Sequence, residues 1–228
     1  MSAPDALAPV LPFLFAAAGL ALAGVAIYAV SVAEKKRTAA LFDAATRMGF
    51  TFEPKIANEE APALGLFHLF QRGHGRKGKN LMRGKSGGAA VAVLDYQYTI
   101  GSGKNSHTYR QTVTIYPPSP DGSAPPDFTL GPEHWWDKIG DVFGHHDIDF
   151  GASEEFSKHY LLKGPDESAI RALFGAEALG FFAQHQGWSV EATGGALAVY
   201  RSGKRTKPEE MPPFLAETDA VRRVLVHA

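Results

Sequence analysis

The chain contains no cysteine. That excludes disulfide bonds, thiolate catalysis, and zinc or iron–sulfur centres held by thiolates. It also suits a reducing compartment. Acids are missing from one long stretch and bases from another. No Asp or Glu lies between Ala61 and Leu94, where Arg72, Arg76, Lys77, Lys79, Arg83 and Lys85 fall. Between Asp121 and Glu155 the balance inverts, with nine acids against Lys138 alone. The net charge of −1 singles out no partner for the chain as a whole, yet its two halves are oppositely polarised. With 45% apolar and 21% charged residues, the composition is that of a folded protein rather than a disordered one.

Charge is also absent from Val10 to Ala33, VLPFLFAAAGLALAGVAIYAVSVA, whose only strongly polar residue is Ser31. A hydrocarbon core ~30 Å thick needs about 20 residues at 1.5 Å rise, so this run reads as one membrane-spanning helix. No Lys or Arg precedes it, and Lys35, Lys36 and Arg37 follow it. Basic flanks stay in the cytoplasm. The expected topology is therefore single-pass in the inner (plasma) membrane, N-terminus out and C-terminal domain cytoplasmic. A secretory signal would carry a basic leader and an apolar core of about 7–15 residues. This segment lacks the first and overruns the second, although Ser31-Val32-Ala33 offers small residues at a cleavage point. The small-residue pairs Ala17/Ala21 and Gly19/Ala23 are expected by chance in so alanine-rich a run. The organisation that follows is an external N-terminus (1–9), a transmembrane helix (10–33), a juxtamembrane helix capped by Gly49 (34–49), and a cytoplasmic domain (50–228).

The domain reads as α+β, an antiparallel sheet built on one long hairpin with flanking helices. Ala89 to Ile100 alternates, with Ala92, Leu94, Tyr96, Tyr98 and Ile100 on one face. Ser106 to Tyr116 alternates again, and the five residues between are Gly, Ser, Lys and Asn. Gly194-Gly195 joins a second pair of strands, Trp188–Thr193 and Ala196–Arg201. Short strands are predicted at Phe50–Glu53, ended by Pro54, and at Phe128–Leu130, Asp147–Phe150 and Ser157–Lys163. Helices are predicted at Pro62–Gln71, Glu133–Phe143, Pro165–Phe174, Ala176–Gln186 and Pro208–Val226. Arg72–Gly88 reads as a basic, glycine-rich loop, and Pro117–Pro126 as a proline-rich one. Helices and strands do not alternate regularly, so a parallel sheet is not expected.

Several strings imitate chemistry. Gly73-His-Gly75-Arg-Lys-Gly78 spells the dinucleotide fingerprint but lacks a strand before it and a helix after. Gly84-Lys85-Ser86 resembles the end of a P-loop, but the leading glycine is misplaced and a strand follows. Gly84-Lys-Ser86-Gly-Gly88 spells a nucleophile elbow without the required strand-to-helix turn. His145, His146, Asp147 and Asp149 form the best candidate for a metal or a hydrolytic site. Adjacent residues of a strand point to opposite faces, however, whereas catalytic zinc needs three converging ligands. Trp135-Trp136 fits a core position better than an interfacial anchor.

Two groups of cations remain as candidates for contact with a membrane surface or a partner. One is Lys35, Lys36 and Arg37. The other is Arg72, Arg76, Lys77, Lys79, Arg83 and Lys85, tethered to an anionic leaflet where each cation contributes ~1 kcal/mol. Nucleic acid is disfavoured, because no aromatics interleave these cations and the acidic half would repel phosphates. The segments Tyr96-Gln-Tyr98-Thr-Ile-Gly-Ser-Gly-Lys104, Gln111-Thr-Val113, Asp147-Ile-Asp149-Phe150 and Tyr160-x-Leu162-x-Gly164 carry a resemblance. The chain resembles uncharacterised bacterial single-span membrane proteins with a cytoplasmic α+β domain. That resemblance implies a bacterial membrane location and brings no activity, cofactor or functional residue with it. The function expected is a non-catalytic binding or accessory role, with the bilayer and a protein or membrane complex as partners and no cofactor. A tethered hydrolase at 145–149 is one alternative. A lipid- or small-molecule-binding sheet lined by Leu94, Tyr96, Tyr98 and Val113 is another.

Overall fold

A computed structural model describes residues 11–56, 65–132, 147–150 and 153–226. It separates into two compact units, Met1–Leu41 and Phe42–Ala228. In the first unit the described residues belong to α1, a helix that runs from Leu11 to Met48 and so ends inside the second unit. Leu20, Leu22, Val25, Ile27, Tyr28 and Val30 are all exposed on it. By length and composition this helix can cross a membrane. It stops at Gly49, which takes φ 71°, and the Phe50 N–H turns back to the Ala45 carbonyl at 2.9 Å.

The second unit is an eight-stranded sheet, antiparallel at every pairing, with helices packed against it. The strands are β1 (Thr51–Lys55), β2 (His74–Ser86), β3 (Ala89–Ile100), β4 (His107–Tyr116), β5 (Phe128–Pro132), β6 (Tyr160–Lys163), β7 (Ser189–Thr193) and β8 (Ala196–Tyr200). Their order is β1-β2-β3-β4-β8-β7-β5-β6. The helices after α1 are α2 (His68–Gln71), α3 (Glu154–Ser157), α4 (Glu167–Leu173), α5 (Ala176–Gln184) and α6 (Met211–Val226). Both predicted hairpins are present, and β3 and β4 lie in the middle of the sheet.

Directly paired residues share a face, so the register sorts the side chains. One face carries Leu94, Tyr96, Tyr98, Val113, Ala198 and Tyr200, with Phe67, Leu69 and Phe70 from around α2 packed among them. The other carries Val93, Tyr116, Leu130, Tyr160, Val190 and Val199. On that face α3 to α6 supply the cover: Phe156 and Phe182 pack on Tyr160, Phe174 on Phe128, and Phe214 on Trp188.

The largest departure from the sequence reading is β2. Arg72–Gly88 is not a loop, because thirteen of its residues form a strand. Its glycines make room for neighbours. A Cβ at Gly78 would meet the end of the Ile56 side chain, and one at Gly84 would meet the Phe50 ring. Strand glycines are rescued by packing a large side chain over them, which alternation in the sequence does not reveal. Two bulges break the register further, between His74 and Lys77 and between Lys79 and Met82. Asn80, at φ 54°, is the extra residue of the second bulge.

Smaller corrections follow the same logic. β1 continues through Pro54 because it is an edge strand, where a missing N–H costs no ladder bond. Asp147–Phe150 forms no strand. Instead the Ile148 N–H donates to the Leu162 carbonyl at 2.8 Å, and the Leu162 N–H donates to the Asp147 carboxylate at 2.9 Å. Ser157–Lys163 is a helical turn followed by the shorter β6. Of Pro62–Gln71, only His68–Gln71 is helical among the described residues. Trp135, Trp136 and the helix predicted at Glu133–Phe143 lie outside the described residues.

Candidate functional site

Lys35, Lys36 and Arg37 sit on α1 directly after its apolar run, and Lys35 and Lys36 are exposed. The six cations of the second group do not make one surface. The bulge at Asn80 reverses the alternation of β2. Before it, Lys77 pairs with Gln97 and Lys79 with Asp95, on the face that carries Val93. After it, Arg83 pairs with Ala92 and Lys85 with Ala90, on the face that carries Leu94. Arg76 is tied down locally, donating to the carbonyls of Phe70 at 3.3 Å and Gln71 at 2.9 Å. Arg83 pairs with Glu53 of β1.

Arg72 departs from the other five, because it is buried, 8% exposed. Its guanidinium lies 5.0 Å from the centre of the Tyr98 ring, within cation–π range. Near it is the least expected feature of the molecule, the fully buried carboxylate of Glu191 on β7. The Leu69 N–H donates to both of its oxygens, at 3.1 and 3.2 Å, and the Tyr200 hydroxyl donates at 2.9 Å. Tyr96 adds a bond from its hydroxyl to the Phe70 carbonyl at 3.3 Å. These bonds clasp α2 to the sheet. Burial pushes the Glu191 carboxyl above the usual range, against the pull of Tyr200, Leu69 and Arg72. Burial likewise raises the Tyr96, Tyr98 and Tyr200 hydroxyls, so all three stay protonated.

A raised carboxyl has a defined consequence. The folded state keeps the proton where the unfolded chain has already released it. Stability therefore falls as pH rises from the ordinary glutamate range through the raised value. Half-buried Asp147, also raised by burial, acts in the same direction. The expected result is a denaturation midpoint that drops across this window, with a smaller drop in Glu191→Gln. Urea titrations of the full chain at a series of pH values measure it.

The alternative catalytic set is not assembled among the described residues. His145 and His146 lie outside them, and Asp147 is occupied by the backbone of β6. No group of three possible metal ligands is found among the described residues. Gly73–Gly78 leads along a strand rather than into a helix, and Ser86 ends β2 before a turn into β3. Neither matches the geometry of a phosphate loop or a nucleophile elbow. Leu94, Tyr96, Tyr98 and Val113 are packed core residues, at most 5% exposed. A cavity of about 510 Å³ lies elsewhere, with Lys85, Tyr116, Pro118, Leu197 and Arg222 among its walls. Arg222 is held there by buried Asp219 at 2.9 Å.

No family model matches the chain, and no curated protein is a significant match. Among solved structures it is similar to one of known role. That structure is the crystal structure of the mycobacterial trehalose monomycolate transport factor A, TtfA. The likeness covers 82% of this chain and 95% of that one, with a TM-score of 0.53 and 12% identity. At that identity it establishes a shared fold. The clasp at Glu191 and a basic turn at 201–207 were the features sequence reasoning passed over. The available signals were one acid inside an otherwise apolar strand pair, and four cations within seven residues.

Proposed function

We propose that the chain is a single-pass, membrane-anchored accessory protein. Its domain, residues 50–228, faces the cytoplasm and docks a membrane complex without doing chemistry itself. The span covers residues 10–33 of α1, oriented by Lys35, Lys36 and Arg37, with residues 1–9 outside and residues 34–49 as the juxtamembrane link. The observation that carries the reading is the pairing of α1 with a sheet domain whose buried polar groups hold structure together. The clasp of Glu191 binds α2, and Asp147 serves the edge of β6. The shared fold with a transport factor supports an accessory role. By that analogy, the partner we propose is a membrane transport assembly.

The test is recovery of the tagged full chain from native membranes in mild detergent, with and without crosslinking, followed by mass spectrometry. The same membrane complex is expected under both conditions. A chain that elutes alone even after crosslinking in intact membranes would falsify the proposal.

A further inference from the structure

The register gathers a different set of cations, taking Lys77 and Lys79 from the second group of the sequence and joining them to residues outside both groups. Lys55 pairs with Lys79, Lys79 with Asp95, and Asp95 with Thr112, so these four residues share one face across β1 to β4. One row further along the hairpin, Lys77 pairs with Gln97 and Gln97 with Arg110. The turn after β8 adjoins this face. The Thr112 N–H donates to the Lys204 carbonyl at 3.1 Å, and the Thr206 N–H donates to the Thr112 hydroxyl at 3.0 Å. Lys204 and Arg205 of that turn line a cavity of about 430 Å³.

Lys55, Lys77, Arg110 and Lys204 are exposed. Asp95 is the single acid in these rows, and it is buried, bonded to Asn80 at 2.9 Å and Thr112 at 3.3 Å. Arg201 and Lys207, at the ends of the turn, pair with Glu217 and Glu210. Among the described residues the face is therefore positive, with the turn after β8 standing over Thr112.

We propose that this face, presenting the exposed Lys55, Lys77, Arg110 and Lys204, docks on the headgroups of anionic phospholipids. The inference rests on α1 lying in a membrane, which brings a bilayer within reach of the domain. Charge complementarity supplies the attraction, since a cytoplasmic leaflet carries negative surface potential. This face holds no aromatic side chain in either row, although the exposed Phe42 packs on Phe52 further along the same side of β1. It thus has no aromatic platform of the kind that single-stranded nucleic acid uses for stacking.

The absence of native cysteine makes the test direct. The full chain carrying Gln97→Cys is labelled with a nitroxide, because Gln97 lies between Lys77 and Arg110. It is reconstituted in nanodiscs of phosphatidylcholine, alone or mixed with phosphatidylglycerol. Collisions of the label with a water-soluble relaxant are then measured. They are expected to fall in the anionic discs only, and to recover when salt is raised well above about 0.15 M, where the screening length drops below ~8 Å. Each cation reversed lowers the ratio of docked to undocked domains at least about five-fold, so Lys77→Glu with Arg110→Glu restores full access. A label at Gln186, exposed after α5, is expected to show no change. Equal access at Gln97 in both kinds of disc overturns the inference. So does protection that appears only when a membrane-protein extract is added, which would assign the face to an acidic protein. Co-elution with the disc reports the anchor separately. A chain that enters discs yet leaves Gln97 open defeats this inference alone.

Discussion

Replacing Glu191 by alanine is expected to cost about 3–5 kcal/mol of stability, because two buried donors lose their acceptor at about 1–3 kcal/mol each and a cavity is left. The substitution takes away three hydrogen bonds at once, two from the Leu69 N–H and one from the Tyr200 hydroxyl. It leaves the Leu69 N–H, the Tyr200 hydroxyl and the nearby Arg72 guanidinium facing a void, in a site closed to water. The loss is a large share of the ~5–15 kcal/mol that holds a typical domain together. Glu191→Gln keeps an acceptor for Leu69 and a similar volume, so its cost is expected to be much smaller. Guanidinium denaturation of the full chain in detergent, followed through tryptophan fluorescence, measures both. Equal midpoints for the alanine variant and the parent would show that α2 is held to the sheet by its apolar contacts alone.

The second large effect concerns the helix. Leu22→Asp and Val25→Asp place two carboxylates in the middle of the apolar run. On insertion scales each exchange moves the segment by about 3–4 kcal/mol toward water, so together they shift the partition by roughly 10⁴–10⁶-fold. Both positions are largely exposed, 72% and 65%, and both lie in the first unit, so the sheet domain has no reason to unfold. The double variant is expected in the soluble fraction after cell lysis and the parent in the membrane pellet. A double variant that still pellets while remaining folded would mean that something other than α1 holds the chain to membranes.

Much of the fold was legible because local chemistry and global structure agree in it. The hairpin β3–β4 alternates cleanly, and its turn needs glycine. Gly194 and Gly195, at φ 56° and 80°, mark the second hairpin for the same reason. The α1 segment is readable from composition alone. What failed to read was β2, whose lysines and glycines look like a loop. Its strand character comes from Phe50 and Ile56, distant in sequence, lying over Gly84 and Gly78. The cationic surface was misjudged for a related reason. A single bulge at Asn80 sends Lys77 and Lys79 to one face and Arg83 and Lys85 to the other. Nothing in the order of residues marks where an extra residue enters a ladder. Arg72 looked like one more surface cation, and only its nearness to Tyr98 and Glu191 shows why it is buried. Asp147 belonged to the alternative site with His145, His146 and Asp149, and in the structure its carboxylate accepts from the backbone of β6.

The proposed function requires that the apolar N-terminal helix remain attached to the domain and remain in the bilayer. Intact-mass measurement of the chain recovered from carbonate-washed membranes tests that requirement most directly. The expected species stays in the pellet and retains α1. Release into the carbonate supernatant, or a mature chain that begins at Glu34, would contradict it.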